Sequence, residues 1–444
     1  MTSPTTPSNP SNPSNIPTNF TDLGLIAPLL ARLNELEYNT ATPIQAQVIP
    51  CILAGKDLIA GANTGSGKTA AFALPILQAL SKQSASGLHE KGNFAAALIL
   101  VPTRELATQV ANNIQSYAAH FNGQIKTNAV FGGVSVNKQM LTLRGGCDIL
   151  VATPGRLLDL ISSNAIKLDH VQTLVLDEAD RMLSLGFTDE LNALLALLPK
   201  QKQTLLFSAT FPEKVQTLTQ SLLINPVEIQ LQDKDASTLV QRVFTVNQGE
   251  KTTVLAHLIK QHNFRQALIF VNAKHGCNHL ADKLAKRGIT SQVFHGDKTQ
   301  GARTQLLQGF KNGDIQVLIA TDIAARGLDI EKLPVVINFD LPRSPLDYMH
   351  RIGRSGRAGE VGLAISLIDH EDYHHFRIIE KKNKFRLERE QVEGFEIDEA
   401  LINVLISQAS NDTKATNRDR KKQSKKESND TQINSDVWGA RSDS

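Results

Sequence analysis

The feature that most constrains the fold is a repeated alternation of short apolar runs and segments with helical spacing. Runs such as DLIA, AALILV, CDILVA, TLVL and QTLLFS have strand character and end abruptly in small or polar residues. Strand, loop and helix in repetition predict a parallel sheet covered by helices on both faces. Ligands bind beyond the carboxyl ends of the strands in such sheets, and the unusual residues of this chain lie there.

The pattern restarts in the second half of the chain, with QALIFVN, SQVFHGD, IQVLIATD, VVINFD and GLAISLI as strand candidates. A chain of 444 residues exceeds one ordinary core, so we predict two similar α/β domains in tandem. The predicted segments are a disordered tail (1–19), a first domain (20–230), a linker (231–240), a second domain (241–372), a helical extension (373–408) and a basic disordered tail (409–444).

Composition excludes several classes of protein. No run approaches the roughly 18 apolar residues that span a bilayer, and the N-terminus lacks the features of a signal peptide, so no membrane association is expected. The cysteines, Cys51, Cys147 and Cys277, lack the paired spacing of a zinc site, and reduced thiols fit a cytoplasmic location. A net charge of +3 does not by itself indicate a nucleic-acid partner.

Residues 61–69, GANTGSGKT, have the pattern of a phosphate-binding loop between a strand and a helix. Its defining residues are Gly65, Gly67, Lys68 and Thr69. Backbone N–H groups of such a turn bind anions, and the lysine adds positive charge for the β and γ phosphates. Ala62 stands where the general pattern has a first glycine, so a glycine turn that binds no nucleotide is the alternative.

A phosphate loop requires an acidic partner for magnesium at the end of a neighbouring strand. The segment TLVLDEAD supplies Asp177 at the end of an apolar run, followed by Glu178. Taken alone, an acidic pair after a strand is often only a helix N-cap. Together with the loop, it indicates the second half of one nucleotide site.

Three segments resemble the signature of the DEAD-box RNA helicases: DEAD at 177–180, SAT at 208–210 and HRIGRSGR at 350–357. Motifs similar to those of the family recur in order from residue 20 to about residue 368. The family loop is written AxxGxGKT, which makes the alanine the expected residue. The resemblance implies two RecA-like domains, with ATP and Mg²⁺ as cofactors. HGDKTQGAR and the short extension resemble the bacterial RhlE-type members.

The resemblance also implies roles in the nucleotide site. Phe20 would stack on adenine and Gln45 would bond its edge, because an amide can donate and accept together. The phosphate-binding residues would be Ala62, Asn63, Thr64, Gly65, Ser66, Gly67, Lys68 and Thr69. Thr69 and Asp177 would hold Mg²⁺, the aspartate through water, and Glu178 would orient the attacking water.

The second domain would complete this site. Arg354 and Arg357 are three residues apart, so they share one face of a helical turn and could act as arginine fingers. His350 would couple to the SAT segment, and Gly327 and Asp329 in RGLD resemble the ribose contact. The coupling residues of the SAT segment are Ser208, Ala209 and Thr210.

Candidate RNA contacts are the threonine, arginine and glycine residues of short loop motifs. They are Thr103, Arg104, Gly132, Gly133, Thr153, Arg156, Arg303 and Thr321. None of these motifs contains an aromatic ladder, so we predict phosphate contacts without sequence preference. The tail segment KATNRDRKKQSKK, with seven basic residues and one acidic, is either solvated or an auxiliary RNA tether.

We therefore predict a cytoplasmic, monomeric helicase in which ATP and RNA together close the two domains, so that hydrolysis unwinds short duplexes or remodels RNA–protein complexes. Ribosomal precursor particles, in ribosome biogenesis, or RNA-decay proteins are the expected partners. The alternative is an ATP-dependent RNA clamp or assembly platform. A DNA translocase is disfavoured because the signature belongs to the RNA-acting branch. Asn63, Glu37 and Ala41 replace the usual glutamine, glycine and proline, and we expect these changes to be tolerated.

Overall fold

A computed structural model describes residues 19–62, 65–85, 92–121, 123–231, 239–325, 333–356 and 361–397. These residues divide into two compact units at about residue 234. The tails predicted at both ends lie outside the described ranges, except for residue 19, and so does most of the predicted linker.

The first unit contains a parallel sheet flanked by helices. Its described strands are β1 Leu58–Gly61, β2 Ala95–Leu100, β3 Thr127–Val130, β4 Cys147–Ala152, β5 Thr173–Leu176, β6 Gln203–Ser208 and β7 Val227–Gln230. Its described helices are α1 Ala27–Glu35, α2 Pro43–Leu53, α3 Lys68–Ala85, α4 Arg104–Tyr117, α5 Val136–Thr142, α6 Pro154–Ser162, α7 Ala179–Ser184, α8 Thr188–Ala196 and α9 Glu213–Leu222, with 3₁₀ turns at Phe20–Leu23 and Ala118–Phe121. The strand order is β3-β4-β2-β5-β6-β1-β7.

Alternation along the central strand β2 explains why it is apolar throughout. Ala97 and Ile99 of β2 belong to the core cluster on one face of the sheet, and Leu98 and Leu100 belong to the cluster on the other face. Because successive side chains point to opposite faces, a strand covered by helices on both sides needs apolar residues at every position.

The second unit repeats this architecture. Its described strands are β8 Leu239–Thr245, β9 Ala267–Phe270, β10 Ser291–Phe294, β11 Val317–Ala320, β12 Val335–Asn338, β13 Gly362–Ile368 and β14 Arg389–Glu390. Its described helices are α10 Lys251–Gln261, α11 Lys274–Ala285, α12 Gln300–Lys311, α13 Asp322–Ala325, α14 Pro345–Ile352 and α15 His370–Asn383. The order β10-β11-β9-β12-β13-β8-β14 matches that of the first sheet strand for strand. The predicted pair of RecA-like domains is confirmed.

The boundary predicted at residue 372 is wrong, because the chain beyond it completes the second sheet. Helix α15 begins at His370, and β14 pairs with β8 in parallel. The Arg242 guanidinium donates to the Glu390 carboxylate and fastens this edge strand. A two-residue strand has no readable period, so the sequence indicated only a helical extension. Residues 398–408 of that extension lie outside the described ranges.

In the described residues, no helix is long and apolar enough to cross a membrane. Cys51, Cys147 and Cys277 are free thiols. Burial raises the pKa of the Cys147 and Cys277 thiols to about 12, so both stay protonated and poorly reactive at neutral pH.

Glu37 adopts the left-handed backbone conformation that glycine favours. Its φ is 59°, and it follows helix α1 in a Schellman-type ending. The N–H of Tyr38 donates to the carbonyl of Leu33 at 2.9 Å, and the N–H of Glu37 donates to the carbonyl of Asn34 at 3.0 Å. The family pattern has glycine here, and the geometry explains that preference.

We expect Glu37→Gly to raise the free energy of unfolding of the first unit by about 0.5–1 kcal/mol, since relief of the left-handed strain outweighs the added chain entropy. Urea denaturation of the full chain, followed by circular dichroism, measures the shift. Glu37→Ala removes the charge but keeps the Cβ atom, so it should give no gain. Equal gains from both variants would assign the effect to the charge.

Candidate functional site

The two halves of the first sheet carry different candidate residues at their carboxyl ends. Strands β5, β6 and β1 are neighbours and lead into the DEAD segment, the SAT segment and the phosphate loop. Strands β3, β4 and β2 are neighbours and lead into FGG, TPGR and PTREL. Nucleotide candidates and RNA candidates therefore lie on adjacent halves of one sheet edge, in the position where such sheets bind ligands.

The phosphate loop depends on glycine at two positions of positive φ, Gly65 at 77° and Gly67 at 91°. A Cβ atom on Gly67 would lie 2.5 Å from Nε2 of Gln45, so a larger residue would displace that side chain and would also be strained at this φ. Helix α3 starts at Lys68 directly after the loop, which directs its first N–H groups towards a bound anion. Asn63 and Thr64 lie outside the described residues.

Lys68 and Asp177 face each other in a buried position. The Lys68 ammonium donates to the carbonyl of Ala62 at 3.0 Å and lies 4.0 Å from Oδ1 of Asp177. Burial raises the pKa of Asp177 to about 6, against the opposing effect of the Lys68 charge. A bound cation would favour the ionised carboxylate, so the donor set fits a hydrated divalent ion.

The described residues hold no cluster of three histidine, cysteine or acidic side chains that could bind a metal by themselves. Mg²⁺ usually takes one or two carboxylates and obtains its remaining ligands from phosphates and water. A single carboxylate beside the phosphate loop therefore agrees with the residues predicted for Mg²⁺, Thr69 and Asp177.

Glu178, the predicted water-orienting residue, has a left-handed backbone with φ of 52° and ψ of 51°. Its N–H donates to Oδ1 of Asp177 at 3.0 Å. A residue with a Cβ atom in this conformation stores strain, which proteins tolerate mainly at functional sites. The strain places consecutive carboxylates on a sharp turn at the end of β5.

The SAT segment is bonded to both neighbouring motifs. The N–H and hydroxyl of Thr210 donate to Oδ2 of Asp180 at 3.0 and 2.7 Å. The hydroxyl of Ser208 donates to the carbonyl of Thr210 at 2.6 Å, and the N–H of Ala62 donates to the carbonyl of Ser208 at 3.2 Å. Ala209 lies between the two bonded residues. Asp180 was missed as a site residue, although it is the last letter of DEAD.

The two residues predicted to bind adenine, Phe20 and Gln45, contact other protein groups in this structure. The N–H of Thr42 donates to Oε1 of Gln45 at 2.9 Å, and Nε2 of Gln45 donates to the carbonyl of Gly67 at 3.2 Å. The Phe20 ring belongs to the core and is 5% exposed, so it offers little surface for stacking in this conformation. Both adenine contacts stay predictions.

The candidate RNA-binding residues of the first unit differ in their exposure and in the hydrogen bonds that they form within the protein. Gly132 and Gly133 are exposed. A Cβ atom on Gly133 would lie 2.6 Å from Nη1 of Arg104, so the FGG and PTREL motifs are adjacent. Thr103 caps α4 through its hydroxyl, and the N–H of Thr153 donates to the carbonyl at the end of β3.

Arg156 supports the FGG loop from within. Its Nη1 donates to the carbonyls of Phe131 and Val134 at 2.9 and 2.8 Å and to Oε1 of Gln139 at 2.8 Å. A direct phosphate contact was predicted for Arg156. In this structure its Nη1 bonds the loop backbone, and the phosphate contact of Arg156 stays a prediction.

Arg303 and Thr321 of the second unit are both buried, at 2% and 6% exposure. The Arg303 guanidinium stacks on Phe294 at 4.8 Å, and its Nη2 lies 3.4 Å from the carbonyl of Ala324 in α13. Arg303 therefore does not present its charge to RNA in this conformation, and the predicted phosphate contact would require it to leave Phe294.

Helix α14 carries His350, and Arg354 follows its end with only 8% exposure. Arg357, Gly327 and Asp329 lie outside the described residues, so their predicted roles stay predictions. Arg351, which lies between His350 and Arg354, was not predicted from the sequence.

Arg351 bonds residues of several elements of the second unit. Its Nε and Nη2 each donate to the Asp322 carboxylate at 2.6 Å. Its Nη1 donates to Oδ1 of Asn338 at 3.1 Å and to the carbonyl of Asp340 at 2.6 Å, and its Nη2 also donates to Oδ1 of Asn272 at 3.1 Å. One buried guanidinium thus joins α14 to the residues that follow β9, β11 and β12.

The second unit lacks a Gly-Lys-Thr loop, yet α10 begins in the equivalent place with Lys251 and Thr252. The Lys251 ammonium bonds the Asp372 carboxylate and lies 3.4 Å from that of Asp369. These carboxylates supply the negative charge that a phosphate would bring, so the position does not offer a nucleotide an unpaired lysine.

Comparisons with known proteins agree with this arrangement. The DEAD/DEAH box helicase family model matches residues 42–218, and the helicase conserved C-terminal domain model matches residues 250–359. ATP-dependent RNA helicase CshA of Listeria monocytogenes is 40% identical over 373 residues, which is 84% of this chain and 70% of the relative. ATP-dependent RNA helicase DeaD of Escherichia coli is 39% identical over 382 residues, 86% of this chain and 59% of the relative.

Among solved structures, Saccharomyces cerevisiae Dbp5 bound to RNA and ADP BeF3 is similar, with a TM-score of 0.74 and 30% identity. The match covers 87% of this chain and all of that one. A DEAD box protein from Methanococcus jannaschii matches with a TM-score of 0.51 and 37% identity over 85% of this chain and 99% of that one.

Proposed function

The chain belongs to the DEAD-box ATP-dependent RNA helicases, and we propose that it binds RNA without sequence preference and uses ATP hydrolysis to unwind short duplexes or remodel RNA–protein complexes. The observation that carries this proposal is the bonded chain from the phosphate loop through Ser208 and Thr210 to Asp180. It joins the three motifs that a nucleotide-driven switch needs in one half of one sheet.

In the proposed mechanism, the loop N–H groups and Lys68 bind the phosphates of ATP. Thr69 and Asp177 would hold Mg²⁺, which would supply positive charge beside the phosphates. Glu178 orients the attacking water from its strained turn. Adenine is bound by the segments that contain Phe20 and Gln45, and stacking on Phe20 requires its ring to become accessible.

Arginine groups of the second unit stabilise the charge that develops on the transferred phosphoryl group. Lys68 and Asp177 belong to the first unit, whereas Arg354 and Arg357 belong to the second. The proposed hydrolysis therefore needs groups from both units. We propose that RNA stimulates hydrolysis because it binds to both units. We assign to His350 and the SAT segment the coupling between the nucleotide site and the RNA site.

The proposed RNA contacts are phosphate contacts. Dbp5 bound to RNA and ADP BeF3 supports the binding of RNA, since its fold is similar over most of this chain. In the first unit we assign them to Arg104 and to the N–H groups of Gly132 and Gly133, with Thr103 and Thr153 beside them. In the second unit we assign them to Arg303 and Thr321, which are both buried in this structure and would have to become accessible.

We also propose a subgroup of the family, a cellular location and further partners. The relatives reported above carry the names CshA and DeaD, so a CshA-like member is favoured over the RhlE-type predicted from the sequence. The free, buried thiols support a cytoplasmic location. A monomer that acts on ribosomal precursor particles or with RNA-decay proteins remains the expectation.

A duplex-displacement assay with a matched clamp-lifetime measurement tests the proposed function. We expect RNA to stimulate ATP hydrolysis, and ATP to drive strand displacement from a short duplex with little dependence on its sequence. Stimulated hydrolysis without displacement, together with a long-lived RNA complex, would favour the clamp instead. Hydrolysis that does not respond to RNA would contradict both functions.

A further inference from the structure

A buried carboxamide on the phosphate-loop helix has no role in the site described above. Gln78 lies on α3, ten residues after Lys68, and is 5% exposed. Its Oε1 accepts from the N–H of Ile26 at 2.8 Å, and its Nε2 donates to the carbonyl of Gly24 at 3.0 Å. Both ends of the carboxamide thus bond the backbone of one turn, 52 and 54 residues earlier in the chain.

That turn belongs to the segment proposed to bind adenine. It directly follows the 3₁₀ turn Phe20–Leu23, and Gly24 ends that turn with φ of 79°. Because the carboxamide pairs with one backbone donor and one backbone acceptor, it determines both the position and the direction of the turn. Loss of the side chain would leave the Ile26 N–H and the Gly24 carbonyl, whose bonds to Gln78 are part-buried, to find other partners.

The phosphate loop, which directly precedes α3, bonds the other half of the adenine segment. Gln45 donates to the carbonyl of Gly67, and the hydroxyl of Thr42 donates to the carbonyl of Ser66 at 2.8 Å. Gln78 lies about 15 Å along the helix from Lys68, at 1.5 Å per residue. Helix α3, which contains Pro75, therefore connects the phosphate-binding groups to the turn at Gly24.

We propose that Gln78 is a positioning residue that sets the preference of this site for adenine nucleotides. The inference rests on the proposed function, in which residues 20–25 and 42–45 bind the base. Gln78 does not contact the nucleotide. It acts through the turn at Gly24, whose placement determines whether an adenine is held better than a guanine.

The position of Gln78 gives the effect a kinetic signature. Lys68 and Asp177 are anchored by their own contacts at the start of α3 and the end of β5, so the chemical step should not depend on the distant turn. Binding of the base contributes equally to the ground state and the transition state, so its loss raises KM and leaves kcat unchanged.

The test is steady-state hydrolysis of ATP and of GTP by the full chain with saturating single-stranded RNA oligonucleotide. Gln78→Leu removes both bonds at similar size. We expect it to raise KM for ATP about tenfold, to keep kcat within about twofold and to leave KM for GTP unchanged. Gln78→Glu, which keeps the acceptor for Ile26 but loses the donor to Gly24, should lower the ATP preference in the same direction and guards against misfolding of the leucine variant.

Gln124→Glu is the matched control, because it adds the same charge at an exposed position of the first unit. It should keep the ATP preference. A lower thermal midpoint for the Gln78 variants with unchanged preference would overturn the inference and leave Gln78 a packing residue.

Gln45→Ala separates this inference from the proposed function. If it lowers the ATP preference while both Gln78 variants do not, the inference alone is overturned. If it leaves the preference unchanged, the assignment of the adenine segment fails, and the inference fails with it. A loss of preference in both the Gln45 and Gln78 variants supports both.

Discussion

Replacing Lys68 by methionine should lower RNA-stimulated ATP hydrolysis by about a hundredfold to a thousandfold in kcat. The Lys68 ammonium is the cation aimed at the phosphate loop, and it lies 4.0 Å from the Asp177 carboxylate. Its removal takes away the charge that would stabilise the transferred phosphoryl group. It also removes the cation that lowers the pKa of Asp177, so that carboxyl would bind a proton more readily at neutral pH.

Lys82→Met is the matched control for this prediction. Lys82 lies in the last turn of the same helix and is exposed, so the variant removes the same charge without touching the loop. Its kcat should stay within about twofold of the unmodified chain, because exposed lysines contribute little at this distance. A small loss in the Lys68 variant, similar to that in the control, would remove Lys68 from the catalytic site.

Replacing Arg351 by methionine should lower the free energy of unfolding of the second unit by about 3 kcal/mol, because it removes a buried guanidinium and leaves the partly buried Asp322 carboxylate without its partner. The Arg351 side chain is 1% exposed and bonds Asp322 through two parallel hydrogen bonds. Its other bonds go to groups after β9 and β12, and its guanidinium lies 4.8 Å from the Phe270 ring. Methionine fills much of the volume but satisfies none of these acceptors.

Arg242→Met is the comparison that isolates burial. Arg242 also forms a forked pair, with Glu390, but both side chains are 35% exposed. Water replaces the lost bonds there, so the expected cost is about 1 kcal/mol or less. Urea denaturation combined with hydrogen exchange in peptides of the second unit measures both variants. Equal costs would show that the bonds of Arg351 contribute no more than an exposed pair.

Most of the fold could be predicted because the strands of a covered parallel sheet are runs of consecutive apolar residues, which can be recognised in the sequence. Every residue of β2 and β11 is apolar, and a chain that alternates such strands with helices can bury them only between helical layers. The phosphate loop was also readable, since its glycines and lysine are consecutive. The edge strand β14 was not, because two residues carry no period.

The candidate site was predictable as a set of motifs and not as an arrangement. Arg156 and Arg303 belong to motifs predicted to bind RNA, yet one supports a loop and the other is buried against Phe294. Nothing in the letters distinguishes an arginine that reaches outward from one that bonds inward. Gln78 and Arg351 were missed for the same reason, since their partners lie tens of residues away in the chain.

The sequence by itself determined the two sheets, the phosphate loop and the order of the motifs, because hydrophobic periodicity and short motifs are local properties of the chain. Only the tertiary structure decided which motifs are neighbours. The strand order β3-β4-β2-β5-β6-β1-β7 places RNA candidates on one half of the sheet edge and nucleotide candidates on the other. It also decided which buried polar groups pair, because a buried donor or acceptor must find a partner in space, wherever that partner lies in the chain.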